Sequence, residues 1–278
     1  MGGGNRGKLG CGTVIGIAII LFGVVRYFGS TQVNPTTGEK QRVALSAEQE
    51  SALGLQAAPQ MAQQMGGVVD PRDPDAQNVK RIGQYLVAHS VAGKNTPYQY
   101  DFHLLRDAET VNAFALPGGQ IFITRGLYDR LADEAALAGV LGHEIGHVVQ
   151  RHSSQQMAKS QLGQSLVTGV GAAASDQGHG YSAMVVGQIV QQTAQLKYGR
   201  EHEREADEFG LRILTESGFD PRAMIDVMKV LAEASKGSRT PEWLASHPYP
   251  ENRIALIQRW LSENPSAVGS LTRGRKLH

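Results

Sequence analysis

Apolar and polar positions divide the chain into helical and extended segments. Residues 46–64 and 75–89 carry apolar side chains at helical spacing, and Ser46-x-x-Gln49 has the form of a capping box at the start of the first segment. Short runs rich in β-branched and aromatic residues, separated by polar or glycine turns, are typical of strands. They cover residues 100–106, 111–116 and 120–124.

The remaining apolar periodicity is helical. Asp133 is a candidate N-cap for an apolar, helix-forming run that covers residues 131–150. Residues 200–207 predict a second helix, Asp220 and the proline after it begin another, and residues 250–264 form the last. We therefore expect an α+β fold that is predominantly helical, with a small sheet whose edge strand precedes the helix that Asp133 caps.

The N-terminal region predicts a membrane anchor. Residues 9–28 are mostly apolar, and the first 17 of them carry no charge, which reaches the lower limit for spanning a bilayer. Arg6 and Lys8 precede this run, as in a signal anchor. Because no small-x-small cleavage site follows, we expect a cytoplasmic tail of residues 1–8, an uncleaved span and an exported remainder. The alternative is a signal peptide that is removed.

Composition separates the other segments. Residues 29–69 predict a polar juxtamembrane linker followed by the amphipathic helix, and residues 70–264 are long enough for one domain of moderate size. Residues 160–195 are rich in Gly, Ala, Ser and Gln, which favours loosely packed helix and loop, with His179 as a loop residue. The basic end of the chain, residues 265–278, is predicted to be disordered.

Charge and cysteine content narrow the function classes. The net charge is +1 with both signs interspersed, so we expect no nucleic-acid partner. Cys11 is the single cysteine, and an intrachain disulfide is therefore impossible.

The helix capped by Asp133 contains a motif with a definite chemistry. Residues 143–147 spell His-Glu-x-x-His. Positions i and i+4 lie on one face of a helix, so His143 and His147 can hold one zinc ion. Glu144 lies further around the helix, where it can take a proton from a metal-bound water without being a ligand. The motif predicts a metallopeptidase site.

A third ligand is offered by the helix predicted at residues 200–207. Glu203 and Asp207 share one face of it, so Glu203 can complete a His₂Glu site while Asp207 accepts the remaining N–H of a ligand histidine. The alternative is an ordinary solvated acidic face. Glycines beside the histidine stripe favour the first interpretation, because they let two helices approach closely. They are Gly139, Gly142 and Gly146.

Late in the chain, His247 precedes the final helix, which carries Arg253. A histidine or arginine from this region can stabilise an oxyanion or occupy the open zinc position. The alternative is a loop histidine without contact to the metal. We expect structural or exposed positions for the other candidates, which are His89, His103 and His152.

The motifs occur in the order of a known family: residues 112–119 (Asn-Ala-Phe-Ala-Leu-Pro-Gly-Gly), 124–127 (Thr-Arg-Gly-Leu), 143–147, 203–207 (Glu-x-x-Ala-Asp) and 247–254, with His-Pro and then Arg-Ile. The chain thereby resembles the family forty-eight zinc metallopeptidases, which include the CAAX prenyl protease, heat-shock membrane proteases and periplasmic outer-membrane quality-control proteases. Gly199 departs from the pattern, because family members usually have Ser-Arg where this chain has Gly-Arg.

The resemblance implies a zincin-like metallopeptidase domain with one zinc ion per chain. It implies His143, His147 and Glu203 as the zinc ligands, Glu144 as the catalytic residue and Asp207 as a partner of the ligands. It also places His247 beside the metal. The substrate cleft is expected to be lined by the strand near Gly118, Gly119 and Gln120.

We therefore expect a zinc metalloendopeptidase that cleaves unfolded or misassembled envelope polypeptides. Its single anchor predicts the bacterial inner membrane, with the catalytic domain in the periplasm. The alternative is a chaperone-like binding module for the same polypeptides, with latent proteolysis. A purely structural zinc site is disfavoured, because such a site has no need of a glutamate beside the first ligand histidine.

Overall fold

The structure, a computed structural model, describes residues 11–174, 198–236, 242–247, 250–265, 269 and 271–278. Three sequence-based expectations fall outside these ranges. They concern the N-terminal tail 1–8, His179, and the Gly- and Ala-rich segment beyond residue 174.

The described residues are mainly helical with two small sheets, which confirms the predicted α+β class. The helices are α1 (Cys11–Gly29), α2 (Ala47–Gln64), α3 (Pro74–Ala88), α4 (Arg125–Tyr128), α5 (Glu134–Val149), α6 (His152–Ala174), α7 (Arg200–Glu216), α8 (Ala223–Ala234), α9 (Glu242–Ser246) and α10 (Pro250–Glu263). The strands are β1 (Thr31–Val33), β2 (Lys40–Arg42), β3 (Asp101–Leu105), β4 (Ala113–Leu116) and β5 (Gln120–Thr124).

Local sequence signals set several helix starts. The hydroxyl of Ser46 accepts from the backbone N–H of Gln49, whose side chain accepts from the backbone N–H of Ser46, so the predicted capping box is present. Asp133 accepts from the backbone N–H of Ala136 and caps α5 as predicted.

The three-stranded sheet has the order β3-β5-β4. Strand β5 lies in the centre, parallel to β3 and antiparallel to β4. Both edges of β5, the strand expected to line the substrate cleft, are therefore hydrogen-bonded to neighbouring strands. Among the described residues, β4 pairs with β5 alone, so β4 is the edge strand that precedes α5.

Helix α5 is buried along its whole length. It packs closely on α7, where a Cβ added to Gly146 would lie 2.9 Å from the carbonyl oxygen of Ala206. A Cβ on Gly142 would lie 2.9 Å from Leu214 and 3.5 Å from the carbonyl oxygen of Gly210. The glycine flank thus permits the close helix approach that the sequence suggested.

The chain end satisfies the first amides of α5. The backbone N–H groups of Glu134 and Ala135, which have no partner within the helix, donate to the carbonyls of Arg275 and Arg273 at 2.9 and 3.0 Å. The Arg273 guanidinium also pairs with Asp133 at 2.8 Å. Residues 271–278 are therefore ordered, and the prediction of a disordered tail is wrong for them, because their basic side chains meet the carboxylates at the start of α5.

The other end of α5 is held by the segment predicted as a linker. Strands β1 and β2 form an antiparallel hairpin just after α1. The Asn34 side chain donates to the carbonyl of Val149 at 2.7 Å, and Gln41 donates to the Gln150 side chain at 2.9 Å. Segments distant in sequence therefore fix both ends of α5.

Helix α1 is long and apolar enough to cross a membrane, with 19 residues, a mean hydropathy of 2.0 and 11% of it buried. Helix α6 packs against it, and the contact involves Gly23 with Ser165 and Gly16 with Gly169. The predicted loose segment that starts at residue 160 is therefore regular helix as far as Ala174, and it packs on α1 at Ser165 and Gly169. Small side chains on both helices allow this contact.

Candidate metal centre

Four side chains from three parts of the chain converge below the surface. His143 and His147 come from α5, Glu203 comes from α7, and His247 follows α9 directly. One ligand atom from each lies within 4.8 Å of all the others, and each of the four residues is no more than 2% exposed. The His143 Nε2 atom lies 3.1 Å from His147 Nε2 and 3.3 Å from His247 Nδ1.

Hydrogen bonds behind the ligands orient both helix histidines. His143 Nδ1 lies 3.0 Å from Asp207 Oδ1 and 3.1 Å from Arg253 Nη2. The carboxylate can only accept, and Arg253 Nη2 already donates to it, so we assign the proton to Nδ1. His147 Nδ1 lies 2.9 Å from His152 Nδ1, while His152 Nε2 donates to Glu205 at 2.9 Å. His152 Nδ1 is then an acceptor and His147 Nδ1 is the donor. Both Nε2 lone pairs are free for a metal.

This arrangement fits zinc. Two unprotonated Nε2 atoms 3.1 Å apart have no hydrogen to share. Among the described residues, the buried Glu203 Oε2 accepts no hydrogen bond, although Arg253 Nη1 lies 3.0 Å away. Two imidazole nitrogens and a carboxylate oxygen are ligands that zinc accepts in hydrolytic sites. A bound cation would satisfy all three.

The electrostatic environment keeps these groups in ligand form. Burial holds the pKa of His147 well below its ordinary value, so the imidazole is neutral. Burial alone would raise the pKa of Glu203, but His247 and Arg253 hold it well below its usual range, and the carboxylate is ionised. Burial also opposes ionisation of Asp207, yet the Arg253 guanidinium lowers its pKa.

Glu144 adjoins this group without belonging to it. Its side chain is 1% exposed, and Oε1 accepts from the Trp243 indole at 3.3 Å and lies 3.7 Å from His247 Nε2. A carboxylate beside the metal ligands but outside their set can exchange protons with a water held there.

The segment of α9 covers the centre. The Trp243 ring stacks on His247 with centroids 4.6 Å apart, and the Arg253 guanidinium lies 4.7 Å from the centre of the indole. The backbone N–H of Trp243 donates to the carbonyl of Val111, next to the edge strand β4, at 3.3 Å. Tyr198 lies 4.1 Å from the His147 ring. The described site is therefore closed.

Of the residues expected to line the substrate cleft, Gly118 shares a small cavity with His147, whereas Gln120 faces β3. Gly118 packs on α2, since a Cβ there would lie 2.4 Å from Ser51 Cα. The Gln120 side chain contacts His103 Nε2 at 3.1 Å, on the far side of the sheet from β4. The edge strand β4 is closer to the centre, because Ala115 and Leu116 line a small cavity together with His147.

Sequence reasoning missed His152 and Trp243 as members of the site. His152 was expected to be structural or exposed, yet it is 0% exposed and contacts a ligand. Its position five residues after His147 carries no helical signal, because a turn separates α5 from α6. Trp243 offers no metal-binding atom, so no motif marks it.

A buried His₂Glu group with a free glutamate beside its first ligand is typical of zinc metallopeptidases. Comparison with known proteins makes this class specific. Residues 74–261 match the profile described as Peptidase family M48. The chain belongs to peptidase family M48, a family of zinc-dependent enzymes.

Curated relatives agree with this assignment. The chain is 34% identical to the Beta-barrel assembly-enhancing protease of Escherichia coli (strain K12) over 233 residues, which are 81% of this chain and 46% of that protein. It is 29% identical to the Mitochondrial metalloendopeptidase OMA1 of Schizosaccharomyces pombe over 249 residues, 88% of this chain and 71% of that protein. The chain thus spans about half the length of the bacterial relative it matches.

Proposed function

We propose that the chain is a zinc-dependent endopeptidase anchored in a membrane by α1. The observation that carries this proposal is the position of Glu144, buried against the metal centre yet outside its ligand set. A structural zinc site has no need of such a group. Family membership and the buried His₂Glu group support the same reaction.

In this proposal His143, His147 and Glu203 hold the zinc. When bound there, zinc activates water for attack and polarises the peptide carbonyl. Glu144 accepts the proton of the attacking water and passes it to the leaving amine. Asp207 and Arg253 hold the ligands in place: Asp207 accepts from His143, and Arg253 donates to Asp207 at 2.7 Å.

One edge of β4 is unpaired among the described residues, which supports an extended substrate. A peptide that adds a strand there is bound through its backbone, so unfolded segments are selected over one particular sequence. Within the part of the chain that the structure describes, the buried Asn112 Oδ1 at the start of β4 accepts no hydrogen bond. We propose unfolded or misassembled envelope polypeptides as substrates and a periplasmic catalytic domain, in line with the name of the bacterial relative.

His247 is proposed to occupy the fourth zinc position in the resting enzyme. Its Nδ1 atom lies 2.9 Å from Glu203 Oε1 and 3.3 Å from His143 Nε2, within the ligand group itself. Substrate binding then requires that His247 move away, together with Trp243, which stacks on it. The alternative is that His247 stabilises the oxyanion, for which its Nε2 atom near Glu144 is available.

The test compares cleavage of an unfolded casein by the full chain and by three variants. Glu144→Gln is expected to lower the rate by about 10²–10⁴-fold, the contribution of a general base, with zinc content unchanged. Glu208→Gln, on the exposed face of α7, is the matched control and should cleave at the wild-type rate. Unchanged cleavage by Glu144→Gln rejects Glu144 as the base.

His247→Ala in the same assay separates the two roles of that residue. If His247 blocks the fourth zinc position, His247→Ala should cleave faster than the wild type. If His247 stabilises the oxyanion, the variant should cleave more slowly.

The closed site also favours a second candidate, a chaperone-like module that binds unfolded envelope proteins and cleaves them only incidentally. Complementation of a deletion strain distinguishes the two functions. Full rescue by Glu144→Gln identifies binding as the function, and failure to rescue identifies cleavage.

A further inference from the structure

Helices α1 and α6 run antiparallel in close contact. A Cβ added to Gly23 would lie 2.4 Å from Ser165 Cβ, and one added to Gly169 would lie 2.7 Å from the carbonyl oxygen of Gly16. Positions nearer the N-terminus of α1 therefore lie beside positions nearer the C-terminus of α6. Residues 160–174 of α6 therefore lie alongside the apolar body of α1.

The charged residues of both helices end at one level. Arg26 is the charged residue of α1, and it lies beside Ala158 and Gln161 of α6 in one shared cavity. Lys159, at the same height, is the last charged residue of α6, because residues 160–174 contain no Asp, Glu, Lys or Arg. Two neighbouring helices thus lose charge together, as helices do where they enter a bilayer. Residues 160–174 include polar side chains, among them Gln161 and Gln164, and among the described helices α1 alone is apolar enough to cross a membrane by itself.

Aromatic residues mark the same level. Tyr27 and Phe28 follow Arg26, and the Arg42 guanidinium of β2 lies 5.4 Å and 4.9 Å from the centres of their rings. Tyrosine and tryptophan rings are enriched at the boundary between hydrocarbon and water. Beyond this level, Val167 on α6 is 75% exposed and Leu21 on α1 is 58% exposed.

We propose that residues 160–174 of α6 are embedded in the lipid bilayer beside α1. The partner of this surface is lipid acyl chain. Fifteen helical residues span about 22 Å, within a hydrocarbon core of about 30 Å. The inference rests on the proposed function in one respect, that α1 crosses a membrane, and it goes beyond a single-pass anchor.

The proposed position of α6 in the bilayer sets the distance of the metal centre from the bilayer surface. His152, which contacts His147, precedes Ser160 by eight residues on the same helix, or about 12 Å. The centre then lies close to the bilayer surface, where segments of membrane proteins that emerge from the lipid can reach it. This narrows the proposed substrate class to membrane-proximal unfolded segments.

The experiment uses the full chain in nanodiscs of phosphatidylethanolamine and phosphatidylglycerol, which leave both faces accessible. Cys11→Ser removes the single thiol, and cysteine is then placed singly at three exposed apolar positions. Val167→Cys tests α6, Leu21→Cys reports α1, and Leu55→Cys on α2, where Leu55 is 62% exposed, is the aqueous control. The reagent is a membrane-impermeant charged maleimide, and an unchanged unfolding midpoint confirms that each variant is folded.

Val167→Cys and Leu21→Cys are both expected to react at least about tenfold more slowly than Leu55→Cys, because the reactive thiolate is disfavoured in apolar surroundings. All three should react equally after denaturation in detergent. Fast reaction at Val167→Cys with slow reaction at Leu21→Cys overturns the embedding of α6 and leaves α1 as an anchor. Fast reaction at both positions overturns the membrane span itself, while the proteolytic function remains to be judged by Glu144→Gln.

Discussion

Two buried polar clusters lie at α5, and they differ in how their hydrogen bonds are completed. In the first, past the end of α5, Arg151 Nε donates to both oxygens of Glu50 at 3.1 Å, and Arg151 Nη1 donates to Gln32 at 3.0 Å. Arg151 Nη2 donates to the carbonyl of Leu45 at 2.7 Å, and the Tyr98 hydroxyl donates to Glu50. The charges of Arg151 and Glu50 balance each other, and each of these donors has an acceptor.

The second cluster, the metal centre, has a surplus of acceptors. The Nε2 atoms of His143 and His147 face each other without a hydrogen between them, and Glu203 Oε2 has no hydrogen bond. Burial of such groups is costly unless something compensates them. The comparison teaches that burial and polarity alone do not identify a site. Unsatisfied acceptors directed at one point identify it.

The largest expected effect separates the two clusters through their arginines. Arg253→Met leaves Glu203 and Asp207 buried without their counter-charge, and Arg151→Met does the same to Glu50. Each change should cost about 3–5 kcal/mol, or roughly 10 °C in the unfolding midpoint. Zinc should reduce the loss for Arg253→Met, because the cation compensates Glu203, and should leave the loss for Arg151→Met unchanged.

The measurement is thermal unfolding of the full chain in detergent, with saturating zinc and with a chelator. Equal zinc dependence of both variants would show that the clusters do not differ in the way described.

A smaller effect is expected when the partner of a ligand is removed. His152→Ala deprives His147 Nδ1 of its acceptor and should weaken zinc binding by about 10–100-fold, the usual contribution of such partners. Zinc retention is measured by competition with a chromogenic chelator, which does not depend on cleavage. His103→Ala, a histidine on β3 without contact to the ligand group, is the control and should keep the wild-type affinity.

The smallest effect is expected outside the metal centre, at the end of α5. Asn34→Ala removes the donor to the Val149 carbonyl at the end of α5 and the hydrogen bonds of Asn34 with Gln41, Thr36 and Thr37. The change should cost about 1–3 kcal/mol in the free energy of unfolding. Zinc affinity should stay at the wild-type value, since the lost bonds lie outside the metal centre. A lower zinc affinity would mean that the hairpin of β1 and β2 also positions the ligands.

Local elements were predictable because their signals are local. The capping box at Ser46, the cap at Asp133 and the bounds of β5 follow from neighbouring residues alone. The order of the strands did not follow, since β5 became central by pairing with β3, 19 residues earlier, as well as with adjacent β4. The regular conformation of residues 271–278 likewise depends on the carboxylates of Asp133 and Glu134, far away in sequence.

The sequence by itself determined the metal chemistry. His143, Glu144 and His147 lie within five residues, and the helical period alone sets which of them share a face. Only the tertiary structure decided what completes and covers that motif. His247 and Arg253 arrive from about a hundred residues further on, and His152 turns back from the next helix. Such contacts depend on packing between helices, which no local periodicity encodes.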